Sequence, residues 1–135
     1  MRMFFGHQEL LSNLSGELEI HPAPGFFNLA GERWFPLRAI AEVLGREVLH
    51  LVSYTEGDIY VEQVSLRLEG AETLFLVLRE ESGYLEVVPE GGQPPIARFQ
   101  FQRRQDRLFL AEDFFSEVLS LESICYTNAT DFLLR

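Results

Sequence analysis

Apolar and polar positions follow two different periods along this chain. Leu37, Ile40, Ala41 and Leu44 recur at i, i+3, i+4 and i+7, the single apolar stripe of a short amphipathic helix. Pro36 suits the first turn of that helix, and Gly45 suits the position just past its end. Ala111, Phe114, Phe115 and Val118 repeat the stripe, with Glu112 and Asp113 in the first turn, where the helix dipole favours them. Leu10, Leu11 and Leu14 predict a further short helix over Gln8 to Leu14, stopped by Gly16.

Between these lie segments with the period of strands. Glu17 to Ile20 and Ile96 to Gln102 alternate polar and apolar. Val48 to Tyr54, Ile59 to Leu68, Thr73 to Arg79 and Tyr84 to Val88 are rich in β-branched and aromatic residues. Phe26 to Leu29 and Glu32 to Phe35 flank Ala30-Gly31, which predicts a tight hairpin. Thr55-Glu56-Gly57-Asp58 and Glu81-Ser82-Gly83 predict two more. Arg107 to Leu110 and Asp131 to Leu134 read as strands, and His21 to Gly25 as a proline-rich loop. Glu90 to Pro95 is the clearest break, either a linker between halves or a long hairpin loop. The loop is preferred, because each half alone would be small.

The two strand–helix segments echo each other. At a shift of 75 positions Glu42-Val43-Leu44 matches Glu117-Val118-Leu119, Trp34 meets Phe109, and Phe35 meets Leu110. The expected architecture is α+β: one antiparallel, sheet-rich domain over 1–135 with two or three short helices. It contains two related strand–helix units, with pseudo-repeats at 17–70 and 71–135.

The run Gly31-Glu32-Arg33-Trp34-Phe35-Pro36-Leu37-Arg38, followed by a helix ending at Leu44-Gly45, resembles the copper amine oxidase N-terminal-domain-like repeats of bacterial proteins. The resemblance covers residues 29–53, with a weaker echo at 106–121. It implies a small antiparallel sheet wrapped on a helix, used for attachment or interaction. It implies no copper and no other cofactor, because no cofactor residue of those oxidases has a counterpart here.

Charge narrows the partners. The net charge is −10, and all eleven basic residues are arginine. Such a surface repels nucleic acid as a whole and favours a basic protein face. One cysteine, Cys125, precludes an internal disulfide or a cysteine zinc site and reads as a small core hydrophobe. No apolar run approaches the roughly 18 residues of a membrane helix. Met1 to His7 is too short and too soon polar for a signal peptide, so a cytoplasmic protein is expected. A surface or exported role would follow if a leader had been removed.

Chemistry is sparse. His7, His21 and His50 share no metal-ligand spacing, and the carboxylates are scattered. No catalytic, cofactor-binding or metal residue is assigned. Candidates for partner contact are Arg38, the basic turn Arg103, Arg104 and Arg107, and the aromatic pair Phe26 and Phe27. Arg38 reads first as a tie to a carboxylate or to strand-end carbonyls. The expectation is a non-enzymatic protein-interaction module that binds a basic partner, of the kind that regulates a larger machine in phage or plasmid systems. The alternative is a DNA-binding regulator using a helix–turn–helix-like segment, 37–54, whose second helix would run from Glu47 to Tyr54. That helix would be poor in base-reading side chains.

Overall fold

The computed structural model describes residues 2–5, 8–11, 27–104, 106–122, 124–127 and 131–134. In chain order these begin with β1 (Arg2–Phe5), β2 (Gln8–Leu11), β3 (Phe27–Leu29), β4 (Glu32–Pro36), α1 (Leu37–Val43), β5 (Val48–Glu56) and β6 (Ile59–Arg67). There follow β7 (Thr73–Arg79), β8 (Tyr84–Pro89), β9 (Ala97–Arg104), β10 (Arg107–Ala111), α2 (Glu112–Val118), β11 (Ile124–Thr127) and β12 (Asp131–Leu134). A 3-10 turn, Glu69–Ala71, joins β6 to β7. The architecture is sheet-rich. With only two seven-residue α-helices among the described residues, it lies nearer all-β than the α+β expectation. The contacts gather into two compact units, Met1–Gly45 with Arg103–Arg135, and Arg46–Gln102.

In the first unit, β11, β12, β1 and β2 form a four-stranded sheet in that order. β12 runs parallel to β1, with Arg2 opposite Asp131 and Phe5 opposite Leu134. The helix expected over Gln8 to Leu14 is therefore corrected: Gln8–Leu11 is a strand, antiparallel to β1. So short a segment is marginal as a helix, and a sheet partner overrides its weak local preference. The strand expected at Glu17 to Ile20 and the loop at His21 to Gly25 lie outside the described residues.

The rest of the first unit is built from two strand–helix segments. β3 and β4 close a hairpin at Ala30 and Gly31, whose φ values of 55° and 80° give the left-handed pair that a two-residue turn needs. β4 then pairs antiparallel with β10, with Phe35 opposite Leu110, Trp34 opposite Ala111 and Pro36 opposite Phe109. β4 with α1 and β10 with α2 keep the shift of 75 at every boundary: 32 to 107, 36 to 111, 37 to 112 and 43 to 118. The ends match as well. Leu44 and Leu119 are the C-terminal caps, and Gly45 and Ser120 follow at φ 76° and 58°. Phe35 and Leu110 are counterparts under that shift and also face each other, so a local twofold axis passes between them.

Both faces of β4 and β10 are covered. Successive side chains on a strand point to opposite sides. Trp34, Phe109 and Ala111 therefore share one buried face, and the Trp34 indole N–H donates to the Leu29 carbonyl at 3.2 Å. Phe35 and Leu110 share the other face with the helices. There Phe115 packs edge-on against Phe35 and Phe114, with ring centroids 6.2 and 5.6 Å away. Leu37, Ile40 and Ala41 bury the stripe of α1.

Gly45 stops α1. Its N–H donates to the Glu42 carbonyl, and a Cβ built on it would meet nothing within 4 Å. Gly45→Ala should therefore lose only the left-handed backbone preference, about 1–2 kcal/mol. A lower urea midpoint with an unchanged m-value would show this, and an unchanged midpoint would refute it.

The second unit is an antiparallel meander, β5 to β9. Val64, Leu66, Leu74, Leu76, Leu78, Leu85, Val87 and Phe99 form its buried face. The opposite face is mixed, and its charges pair across strands. The helix–turn–helix expectation for 37–54 is corrected here, because Val48–Glu56 is a strand hydrogen-bonded to β6. Its apolar residues Val48, Leu49, Leu51 and Val52 break strict alternation and imitate a helical pattern. The structure resolves this with an irregularity in the β5–β6 register between His50 and Val52.

Candidate interaction surface

The basic side chains are largely engaged within their own units. Arg33 forms an ion pair with Glu112 and lies over the Phe35 ring, 5.5 Å from its centroid. Arg46 reaches Glu69 at 3.4 Å. Arg79 pairs with Glu86, and its Nε lies 3.7 Å from Glu56. Arg98 lies 4.3 Å from the Tyr84 ring centroid, while the Gln100 amide donates to the Tyr84 hydroxyl at 3.1 Å. Each of these exposed or half-exposed pairs contributes little to stability. Their effect is to commit the positive charges internally.

The candidate contact residues separate. Arg103 and Arg104 end β9 and Arg107 opens β10, with Asp106 between them at φ 62°. These arginines gather at one turn, as the sequence predicts, and each already has a partner of its own. Arg38 is exposed on α1, and no carboxylate or carbonyl partner for it is seen among the described residues. Phe27 opens β3, its backbone opposite Trp34. Phe26 lies outside the described residues. His50 sits on β5, its Nε2 2.8 Å from the Ser53 hydroxyl oxygen. His7 and His21 lie outside the described residues. Among the described residues no group of three potential metal ligands occurs.

The acidic residues are the unsatisfied partners. The second unit holds ten Asp and Glu against four Arg. Glu47, Asp58, Glu72, Glu81 and Glu90 are exposed, and none of them forms an ion pair among the described residues. A pocket of about 280 Å³ in the first unit is lined by Glu112, Asp113, Phe115, Ser116, Leu121, Glu122 and Ile124. Its lining has a hydroxyl and carboxylates but no histidine to serve as a base for that hydroxyl.

Sequence reading missed the free edge of the second unit. β5 pairs with β6 on one side and, among the described residues, with no strand on the other. Leu49, Leu51 and Val52 are 47%, 46% and 43% exposed there, and the neighbouring Tyr60 is 44% exposed. Strand composition is visible in sequence, but strand order is not, so nothing marked this segment as an edge.

No family model, curated protein or solved structure matches the chain. No helix among the described residues is long and apolar enough to cross a membrane.

Proposed function

We propose that this chain is a non-enzymatic protein-interaction module that binds a basic partner surface. One observation carries the reading. Three of the four arginines of the second unit lie against Glu69, Glu56, Glu86 or Tyr84 and the fourth, Arg67, is exposed, while five carboxylates of the same unit stand exposed without an ion pair among the described residues. An unbalanced field of one sign attracts a partner of the other and speeds encounter. Regulation of a larger machine of phage or plasmid type fits this size and charge by analogy alone.

A related proposal is that the first unit carries two copies of one strand–helix repeat; its likeness to the copper amine oxidase N-terminal-domain-like kind rests on the sequence run 31–45 alone. The matched boundaries and caps at a shift of 75 support the duplication.

The test is affinity capture from the source cell, followed by a salt gradient. A stoichiometric protein partner with a basic face is expected, released as salt approaches about 1 M, where the screening length falls to about 3 Å. Capture of no stoichiometric protein, or of an acidic one, would overturn the reading.

A further inference from the structure

We infer that the free edge of β5 is the docking strand, and that its occupant is an extended partner segment with an apolar centre and basic residues at both ends. The inference rests on the interaction-module reading and adds the surface and the partner's form. Edge strands present unpaired backbone N–H and C=O groups, and proteins usually blunt them with charge, proline or a cover. β5 has none of these between Val48 and Thr55: no charged residue, no proline and no neighbour strand among the described residues. Leu49 to Ser53 are all exposed, so neither face of this stretch is covered. The irregularity between His50 and Val52 bends the strand locally but leaves the pairing on both sides of it intact.

Charge selects the occupant. The uncharged stretch is bracketed by Glu47 at one end and by Asp58 just past the other, both without an ion pair among the described residues, while Glu56 already lies beside Arg79. The nine residues of β5 span about 30 Å. A strand laid along it would meet a carboxylate near each end and apolar side chains between. Arg or Lys at both ends of an alternating Val/Thr segment answers that pattern. Main-chain pairing would supply affinity, and the ends and alternate side chains would supply selectivity. A second copy of this chain is the poorer occupant, because each copy brings a charge of −10.

The probe is a fluorescent eleven-residue peptide with a Val–Thr alternating centre and two arginines at each end. Binding is followed by anisotropy at low and high salt. Three control peptides are used: glutamate ends, proline at alternate central positions, and arginine ends on a Gly–Ser centre. Tight binding is expected for the first peptide alone. Val52→Lys should weaken it about tenfold or more, because it sets a charged gatekeeper on the edge against the apolar centre of the peptide. Leu51→Lys serves as a second variant should the first fold poorly. Glu47→Gln with Asp58→Asn should weaken binding several-fold and flatten its salt dependence.

If all the arginine-ended peptides bind alike and the β5 variants change nothing, the edge-strand inference falls while the basic-partner reading stands. If no arginine-ended peptide binds, and captured partners are not basic, both fall. If sedimentation shows a dimer that Val52→Lys converts to monomer, the occupant is a second copy and the inference is overturned.

Discussion

Phe115→Ala is expected to destabilise the protein by about 3–5 kcal/mol, the usual range for deleting a fully buried phenylalanine side chain. Phe115 is wholly buried, and it makes edge-to-face contacts with Phe35 of β4 and Phe114 of its own helix. It thus ties one strand–helix segment to the other. The loss combines transfer of the ring to water with a cavity that strand, helix and the facing segment are too rigid to close. Edge-to-face aromatic pairs add about 0.5–1.5 kcal/mol beyond area. Phe115→Leu should cost much less. The check is urea denaturation followed by far-UV circular dichroism. A loss below about 1 kcal/mol for the alanine variant would mean that the helix does not pack on β4 as described.

Leu76→Ala should cost about 2–5 kcal/mol, whereas Leu51→Ala should change stability by no more than about 0.5 kcal/mol. The two residues are chemically identical and lie in one sheet. Leu76 is fully buried on β7 with Val64 directly across on one side and Val87 on the other. Leu51 is 46% exposed at the irregularity in β5 and has no neighbour strand beyond it among the described residues. The difference between two like truncations is more secure than either value, because unfolded-state effects largely cancel. A large loss at Leu51 would show that the edge is covered in the folded protein and could not serve as a docking strand.

Much of the fold was legible from local pattern. The 3.6-residue stripes of Leu37 to Leu44 and of Ala111 to Val118 mark the two α-helices among the described residues, and Ala30-Gly31 and Gly45 mark a turn and a stop. The echo between the two strand–helix segments was visible from Glu42-Val43-Leu44 and Glu117-Val118-Leu119, and the structure extends it to strand boundaries and caps. Parallel pairing of β1 with β12 was not legible. It joins residues 2–5 to 131–134, and no local signal encodes a contact at that separation. The apolar residues at 48, 49, 51 and 52 misled, because one irregular step in a strand makes period 2 look like period 3.6. The proposed interaction surface was legible only in its charge. Net charge pointed to a basic partner, but the arginines at 103, 104 and 107, prominent in sequence, are already engaged. The edge position of β5 depends on strand order, which only the fold supplies.

The most direct test of the account is amide hydrogen exchange with and without the arginine-ended Val–Thr peptide, read by mass spectrometry on peptides covering Val48–Glu56. Outward-facing amides of an unpaired edge exchange readily, and a strand paired to them slows that exchange. The account predicts new protection confined to β5, absent with the proline-containing peptide. Protection that falls elsewhere, or none on β5 at saturating peptide, would contradict it.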